Sequence, residues 1–72
     1  MGSKTVHVVP DGDQWAVEED GKRMSTHATQ QEAEHAARED AIIAHGELIV
    51  HGRDGRIERK NSYGHDPRNV AG

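Results

Sequence analysis

Six histidines are the residues most able to do chemistry in this 72-residue chain: His7, His27, His35, His45, His51 and His65. Zinc sites place their ligands at short fixed spacings and usually add cysteine or carboxylate. His35 and His45 lie ten residues apart on a predicted helix, so their directions differ by about 80° and their heights by nearly three turns. These two side chains therefore cannot share one ion.

A second histidine pair depends on how the predicted strands are arranged. His7 and His51 become neighbours if their strands pair, and Glu18 or Glu47 could then join them. No short-spaced ligand motif supports such a site, so we expect histidines that cap, fill space or face solvent. We predict no metal and no other cofactor.

The stretch "VHGRDGRI" (50–57) could form an anion site or only a turn between strands. The basic side chains of this region and the tail are Arg53, Arg56, Arg59, Lys60 and Arg68. Exposed turn amides can hold a phosphate or a carboxylate. However, Asp54 sits in the middle, and the glycine spacing matches neither a phosphate-binding nor a dinucleotide-binding loop. We predict a hairpin turn with solvated charges; weak anion or nucleic-acid contact is the alternative.

No motif in the sequence predicts a catalytic site. Ser25 and Ser62 are candidate nucleophiles, but no motif places either beside a base. A domain with one helix and one sheet also has little volume for a pocket. Trp15 takes an inward strand position, which favours a core filler over a ligand-stacking surface. We therefore expect no enzymatic activity and predict no catalytic residues.

Composition limits the class of protein. The chain has 13 acidic and 9 basic residues and a formal charge of −4, which argues against non-specific binding to nucleic acid. It has no cysteine, so neither a disulfide nor a thiolate metal site can support a core that is small at this length. No apolar run reaches the roughly 20 residues of a membrane span. We expect a soluble, cytoplasmic protein without membrane contact.

Alternating apolar residues and turn signals predict the strands. "KTVHVVP" (4–10) ends at a proline, and "QWAVEEDGKRMSTHA" (14–28) contains a strand, a tight turn or bulge at Gly21, and a short third strand near 22–26. Leu48–His51 and Arg56–Lys60 flank Asp54-Gly55, a strong signal for a hairpin with a type I′ turn.

The segment "TQQEAEHAAREDAIIAHG" (29–46) predicts one helix. Thr29 and Glu32 form a capping box, and Gly46 suits the left-handed position that ends a helix. Glu34 and Arg38, four residues apart, are expected to pair on the solvent side. One stripe consists of small residues that would let the helix approach a sheet closely: Ala33, Ala36, Ala37, Ala41 and Ala44.

These elements predict an α+β fold of type β-β-(β)-α-β-β, in which one helix covers one face of a small antiparallel sheet of about four to five strands. The helix-facing residues are expected to be Val6, Val8, Trp15, Val17, Leu48, Val50 and Ile57. The opposite face receives His7, Val9, Ala16, Glu18, Ile49 and His51. That face is mixed in polarity, and it either stays wet or meets another molecule.

Three segments are distinguished by their composition. Residues 4–63 form a single predicted domain. Residues 1–3 read as a vector remnant or a disordered start, and residues 64–72 as a flexible tail.

Several motifs resemble those of a small bacterial family filed as domain of unknown function 2188. The shared features are "HVVP" (7–10), Trp15 with Val17, Thr29 with "EA" at 32–33, the spaced alanines, Gly46, "HGRDGRI" (51–57) and "SYGHDP" (62–67). The resemblance covers roughly residues 5–67. It implies a small α+β domain and assigns no catalytic residue or biochemical role.

Self-association is the leading functional hypothesis. The small core and the mixed second face favour a non-enzymatic interaction module, expected to be a homodimer formed through the uncovered sheet face or an edge strand. The candidate interface residues are His7, Val9, Ile49, His51, Tyr63 and His65. Tyr63 alternatively packs across the sheet edge. An unidentified protein partner is a further possibility, and nucleic acid is disfavoured.

Overall fold

One helix packs on a five-stranded sheet, which confirms the predicted α+β class. The computed structural model describes residues 4–63. Its elements are β1 (Thr5–Asp11), β2 (Gln14–Glu19), β3 (Lys22–His27), α1 (Gln30–Ala44), β4 (Glu47–His51) and β5 (Ile57–Ser62). The predictions for residues 1–3 and 64–72 lie outside the described residues.

The sheet is mixed, whereas an antiparallel sheet was predicted. Its order is β3-β2-β1-β4-β5, and β1 pairs in parallel with β4 while all other neighbours are antiparallel. Two hairpins make β1 and β3 run in the same direction. The 15-residue α1 is about 22 Å long, close to the roughly 20 Å of a six-residue strand. It therefore returns the chain to the end of the sheet at which β1 and β3 begin, so β4 runs parallel to β1.

The β2–β3 connection is a two-residue turn. Asp20 and Gly21 both have positive φ, 54° and 77°. Two consecutive residues in this region define the type I′ geometry that matches strand twist in hairpins. The predicted tight turn at Gly21 is confirmed, and β3 extends one residue past its predicted end, to His27.

The β4–β5 connection is longer than the predicted type I′ turn. Gly55 has a φ of 87°, while Asp54 does not have positive φ. The amide of Gly55 donates to the carbonyl of Gly52 at 2.9 Å, and the amide of Gly52 donates to the carbonyl of Arg56 at 2.7 Å. This pattern is a three-residue loop with one left-handed glycine. Asp54 Oδ1 accepts from the Arg56 amide at 3.1 Å and stabilises the loop.

The ends of α1 are fixed by Thr29 and His45. Thr29 Oγ1 accepts from the Glu32 amide at 3.1 Å, so the predicted N-terminal cap is confirmed. At the other end His45, not Gly46, takes the left-handed position, with a φ of 55°. Gly46 is needed for another reason: a Cβ there would overlap the backbone carbonyl oxygen of Lys4. That oxygen accepts from the Glu47 amide at 2.8 Å where β4 joins β1.

The core lies between α1 and one face of the sheet. Its residues are Val6, Val8, Trp15, Val17, Ala33, Ala37, Ala41, Leu48 and Val50. The three alanines have no exposed surface, which confirms that small residues let the helix lie close to the strands. All of the predicted inward strand residues except Ile57 are in this cluster.

Ile57 is 57% exposed, and its predicted place in the core was wrong. Val50 pairs with Arg59, but the next residue, His51, pairs with Ile57, so Glu58 is an extra residue in β5. Such a bulge shifts the alternation of side chains between the two faces. Ile57 consequently shares the face of His51, away from the helix.

Candidate interaction surface

The sheet face opposite α1 is covered by no other element among residues 4–63. Cross-strand partners share a face, so the register defines its members. We call it the uncovered face; across β3, β2, β1, β4 and β5 it comprises Arg23, Thr26, Gln14, Ala16, Glu18, Thr5, His7, Val9, Asp11, Glu47, Ile49, His51, Ile57, Lys60 and Ser62. The six residues predicted for this face all lie on it.

An ion pair covers the β2 side of this face. Arg23 Nη2 lies 3.3 Å from Asp11 Oδ2, and the two residues belong to strands on either side of β2. Their β2 partners are Glu18 and Gln14, so the pair crosses β2 at the level of Ala16. This explains why Ala16 is fully buried although it points away from the helix. The open part of the face lies on β1, β4 and β5.

A histidine pair occupies the centre of the open part. His7 Nδ1 and His51 Nε2 are 3.1 Å apart, and the two rings stack with centroids 5.3 Å apart and planes inclined by 24°. One nitrogen donates a hydrogen to the other, so at least one of the two facing nitrogens is unprotonated. The sequence predicted that these residues could be neighbours, and the parallel β1–β4 pairing brings them together.

Apolar side chains surround the histidine pair. Ile49 is the cross-strand partner of His7, and Ile57 is the partner of His51. Val9 and Ile49 are half-buried, while Ile57 is mostly exposed. The face is therefore apolar on the β4 and β5 side of the two imidazoles, while the carboxylate of Glu18, the β2 partner of His7, lies on the other side.

The predicted basic cluster is divided rather than continuous. Arg53 donates to the Gly12 carbonyl at 3.0 Å and lies over the Trp15 ring at 4.9 Å, where it shields the core. Arg59 and Lys60 point to opposite faces of the sheet, because their partners are Val50 and Ile49. Arg56 lies 3.8 Å from Asp54. Arg68 is outside the described residues.

Arg59 pairs with Glu34 across the gap between β5 and α1. Arg59 Nε donates to Glu34 Oε2 at 3.1 Å, and a second guanidinium nitrogen contacts the other carboxylate oxygen. The hydrogen bond and charge of Glu34 raise the pKa of the Arg59 guanidinium. The predicted Glu34–Arg38 pair on the helix was wrong, because Glu34 faces the edge of β5 instead of open solvent.

Tyr63 packs against the core. Its side chain is partly buried there, and its amide donates to the Gly46 carbonyl at 2.8 Å. This contact agrees with the interpretation in which Tyr63 closes the sheet edge. His65, the other candidate of the tail, is outside the described residues.

One buried carboxylate was not predicted from the sequence. Glu19 is 8% exposed and follows Trp15 and Val17 on the helix-facing side of β2, so strand alternation could have located it. Lys4 Nζ lies 3.2 Å from Glu19 Oε1. Burial raises the pKa of the Asp40 carboxyl on α1, and a hydrogen bond to Glu19 together with its charge raises it further, while Lys4 opposes the change.

Replacing Asp40 with asparagine is expected to increase stability at neutral pH. Because the folded pKa of Asp40 lies above the unfolded value of 3.8, its neutral form stabilises the fold fully below that value. This contribution is lost as the pH rises through the folded pKa. An amide keeps the hydrogen bond to Glu19 without the charge. Urea unfolding of both proteins from pH 3.5 to 7 measures the difference.

The matched control is Asp13→Asn, which removes the same charge from the exposed turn between β1 and β2. This control should not show the increase in the free energy of unfolding that grows with pH in Asp40→Asn. A variant Asp40→Asn that is less stable than the unchanged protein at pH 7 would contradict the expected sign.

One serine lies beside a histidine, which no motif predicted. Ser25 Oγ and His27 Nε2 are 2.9 Å apart on the edge strand β3. The groove beside them is shallow and lies between the end of β3 and α1; its walls include Thr29, Glu34 and His35. A hydroxyl and an imidazole two residues apart on one strand face are neighbours by geometry alone. Among residues 4–63 no carboxylate is hydrogen-bonded to His27 to orient it as a catalytic base.

Within the described part of the chain, no three histidine, cysteine, aspartate or glutamate residues are arranged to hold a metal ion. The same residues contain no helix that is long and apolar enough to cross a bilayer.

The fold and the surface define a small α+β domain in which a single helix covers one face of a mixed sheet. A family model described as an uncharacterized protein conserved in bacteria, DUF2188, matches residues 6–63. The chain belongs to this family, as the resemblance in its motifs implied. No curated protein and no solved structure matches the chain significantly.

Proposed function

We propose that the protein is a non-enzymatic interaction module that forms a homodimer through the uncovered face. The exposed Ile57 carries the proposal. A bulge in β5 turns this side chain away from the core and places it opposite His51, on the same face as the half-buried Val9 and Ile49. Exposing an apolar side chain in this way gains nothing for the isolated domain, but it enlarges an apolar patch that a second molecule can cover.

The charge of the face favours a second copy over a strongly charged partner. The chain carries a formal charge of −4, yet the uncovered face holds Arg23 and Lys60 against Asp11, Glu18 and Glu47. Such a nearly balanced surface can face itself without strong repulsion. An isologous contact requires this self-complementarity, because the same residues meet from both sides.

The face is a better candidate than an edge strand. Both edges expose charged side chains, with Lys22 and Arg23 on β3 and Glu58 to Lys60 on β5. Charged residues at sheet edges oppose strand addition. A five-stranded sheet of this length presents about 400 Å² in plan, less than the ~800 Å² that each partner buries in a standard interface. We therefore expect a reversible dimer of modest affinity.

Light scattering over a concentration series tests the dimer. The unchanged protein should approach twice the chain mass at high concentration, and Ile57→Lys should hold it at the monomer mass because a charge then lies in the apolar patch. Ile43→Lys is the matched control, since Ile43 is 77% exposed but lies on α1. A strictly monomeric unchanged protein, or equal effects of both substitutions, would overturn the proposal.

Nucleic-acid contact is the alternative with less support. Arg59 is neutralised by Glu34, and Arg53 is held over Trp15. The Trp15 ring is buried, so it offers no stacking surface to a base. Titration with a mixed oligonucleotide pool at low salt should give no binding, and salt-dependent binding would favour this alternative.

A further inference from the structure

We propose that His7 and His51 form half of a binding site for a divalent transition-metal ion, and that the second copy in the homodimer supplies the other half. The inference rests on the proposed dimer and names a ligand for the same surface. One chain brings two imidazole nitrogens together, and imidazole is a preferred ligand of zinc, copper and nickel.

The spacing of the two nitrogens suits coordination. Two imidazole nitrogens bound to one zinc ion at 2.0–2.1 Å and at the tetrahedral angle lie about 3.3 Å apart. His7 Nδ1 and His51 Nε2 are 3.1 Å apart. Only a few tenths of an ångström separate the free and the coordinating arrangements. Because the backbone positions on paired strands already bring the rings together, little ordering is needed when the ion binds.

Coordination requires a change of tautomer but no net loss of a proton. In the hydrogen-bonded pair, the hydrogen lies between His7 and His51, so one of the facing nitrogens has no free lone pair. When the donor ring carries its hydrogen on its outer nitrogen, both facing lone pairs are free. Each ring must then rotate so that its lone pair points at one ion, which replaces the shared hydrogen.

The surroundings favour retention of the ion. Ile49 and Ile57 are the cross-strand partners of the two histidines, so apolar side chains border the pair. Against a second copy, these side chains would exclude water from the ion. Apolar surroundings strengthen ligand–metal attraction by lowering the local dielectric constant.

One chain cannot complete the site, which is why the second copy matters. Zinc in a closed site takes four ligands, and in residues 4–63 no third histidine, cysteine or carboxylate is arranged with the pair to hold an ion, although Glu18 is the β2 neighbour of His7. β1 is the central strand of the five and β4 lies beside it, so His7 and His51 sit near the middle of the uncovered face. When two copies pack face to face, a two-fold axis that runs parallel to the sheets and passes between the two histidine pairs brings them together as four imidazoles. The shared ion would also strengthen the dimer interface, whose buried area is small.

Zinc chloride is the probe, added to full-length protein that has been freed of metal with EDTA. Calorimetry should give one zinc ion per two chains, and light scattering should show that zinc shifts the population towards the dimer. Substitution of either histidine, by His7→Gln or His51→Gln, should weaken zinc binding beyond the roughly 10–100-fold seen when only a ligand's supporting hydrogen bond is lost. His35→Gln, on the exposed surface of α1, is the matched control and should leave binding unchanged.

The outcomes separate this inference from the proposed dimer. A dimer that forms in EDTA and binds no zinc would overturn the metal site while the proposed function stands. A stoichiometry of one zinc per chain without a change in mass would overturn the shared site. Equal weakening by His35→Gln and by the other two substitutions would assign binding to scattered histidines and also overturn it. Circular dichroism of each variant verifies that the fold is intact.

Discussion

Leu48→Ala is expected to lower the free energy of unfolding by about 2–5 kcal/mol, the range for removing a large aliphatic side chain from a packed core. Leu48 is 1% exposed and is the largest of the fully buried side chains. A domain of this length has a total stability of roughly 4–11 kcal/mol. The substitution therefore removes a large share of it, and a substantial fraction of the variant should be unfolded at physiological temperature. Urea unfolding followed by circular dichroism measures the loss.

The size of this effect follows from the shallow core. The helix contributes mainly alanines, so the strand residues must fill most of the space between the layers. An alanine at position 48 would leave a cavity in a core to which the helix contributes alanines, and their side chains are too short to close it. Relaxation would then require the helix to move as a unit.

Ile57→Ala is the matched control for the core prediction. The sequence placed Leu48 and Ile57 on the same buried face, but Ile57 lies on the uncovered face and is 57% exposed. Its truncation should cost less than about 1 kcal/mol in the monomer. Unfolding is measured at a concentration low enough to keep the chain monomeric. If Ile57→Ala were as damaging as Leu48→Ala, the bulge in β5 would be contradicted.

Gly46→Ala is expected to destabilise the domain by about 1–3 kcal/mol or more, as overpacking does in a site that cannot relax. The added Cβ would overlap the carbonyl oxygen of Lys4. Relief requires the start of β4 to separate from β1, which would break the bond from the Glu47 amide to the same oxygen. That bond lies at the only parallel junction in the sheet described here, so its loss would also loosen the order of the strands.

Gly52→Ala provides the comparison. Its Cβ would meet the end of the flexible Glu58 side chain at 2.5 Å, and that side chain can turn away. The same chemical change should therefore cost much less at position 52 than at position 46. Thermal and urea unfolding of both variants measure the two losses of stability. Equal losses would contradict the explanation that the close approach of the Lys4 backbone requires glycine at position 46.

Most local structure could be predicted from neighbouring residues. Thr29 and Glu32 specified the start of α1, because the hydroxyl and the third helical amide are fixed by three residues of sequence. Asp20-Gly21 specified a tight turn for the same local reason. Alternation placed Val6, Val8, Trp15 and Val17 on one face, since successive side chains of a strand point to opposite sides.

The direction of β4 could be deduced from the sequence, but its neighbour in the sheet could not. Two hairpins fix the directions of three strands, and a helix as long as a strand reverses the direction of the chain once more. A strand that follows it must run parallel to β1 and β3. Because β5 runs the opposite way, the sheet would have stayed antiparallel if β5 rather than β4 had paired with β1. The individual strands and the helix were easier to predict than the way in which the strands pair.

The candidate surface was foreseen in part. Alternation alone put His7 and His51 on the same side, but their contact depends on which strands are neighbours and in what register. Ile57 was assigned to the wrong face because one extra residue in β5 shifts the alternation, and no residue type marks that bulge. Glu34 was given a partner on its own helix, while its actual partner, Arg59, is 25 residues away.

The sequence by itself determined the elements, most of the core and the family resemblance, because caps, turns and alternation act over a few residues. Only the tertiary structure decided the β1–β4 pairing, the exposure of Ile57 and the need for glycine at position 46. Each of these depends on contacts between segments far apart in the chain. The histidine pair illustrates the division: the sequence supplied two imidazoles on one face, and the parallel register placed their nitrogens 3.1 Å apart.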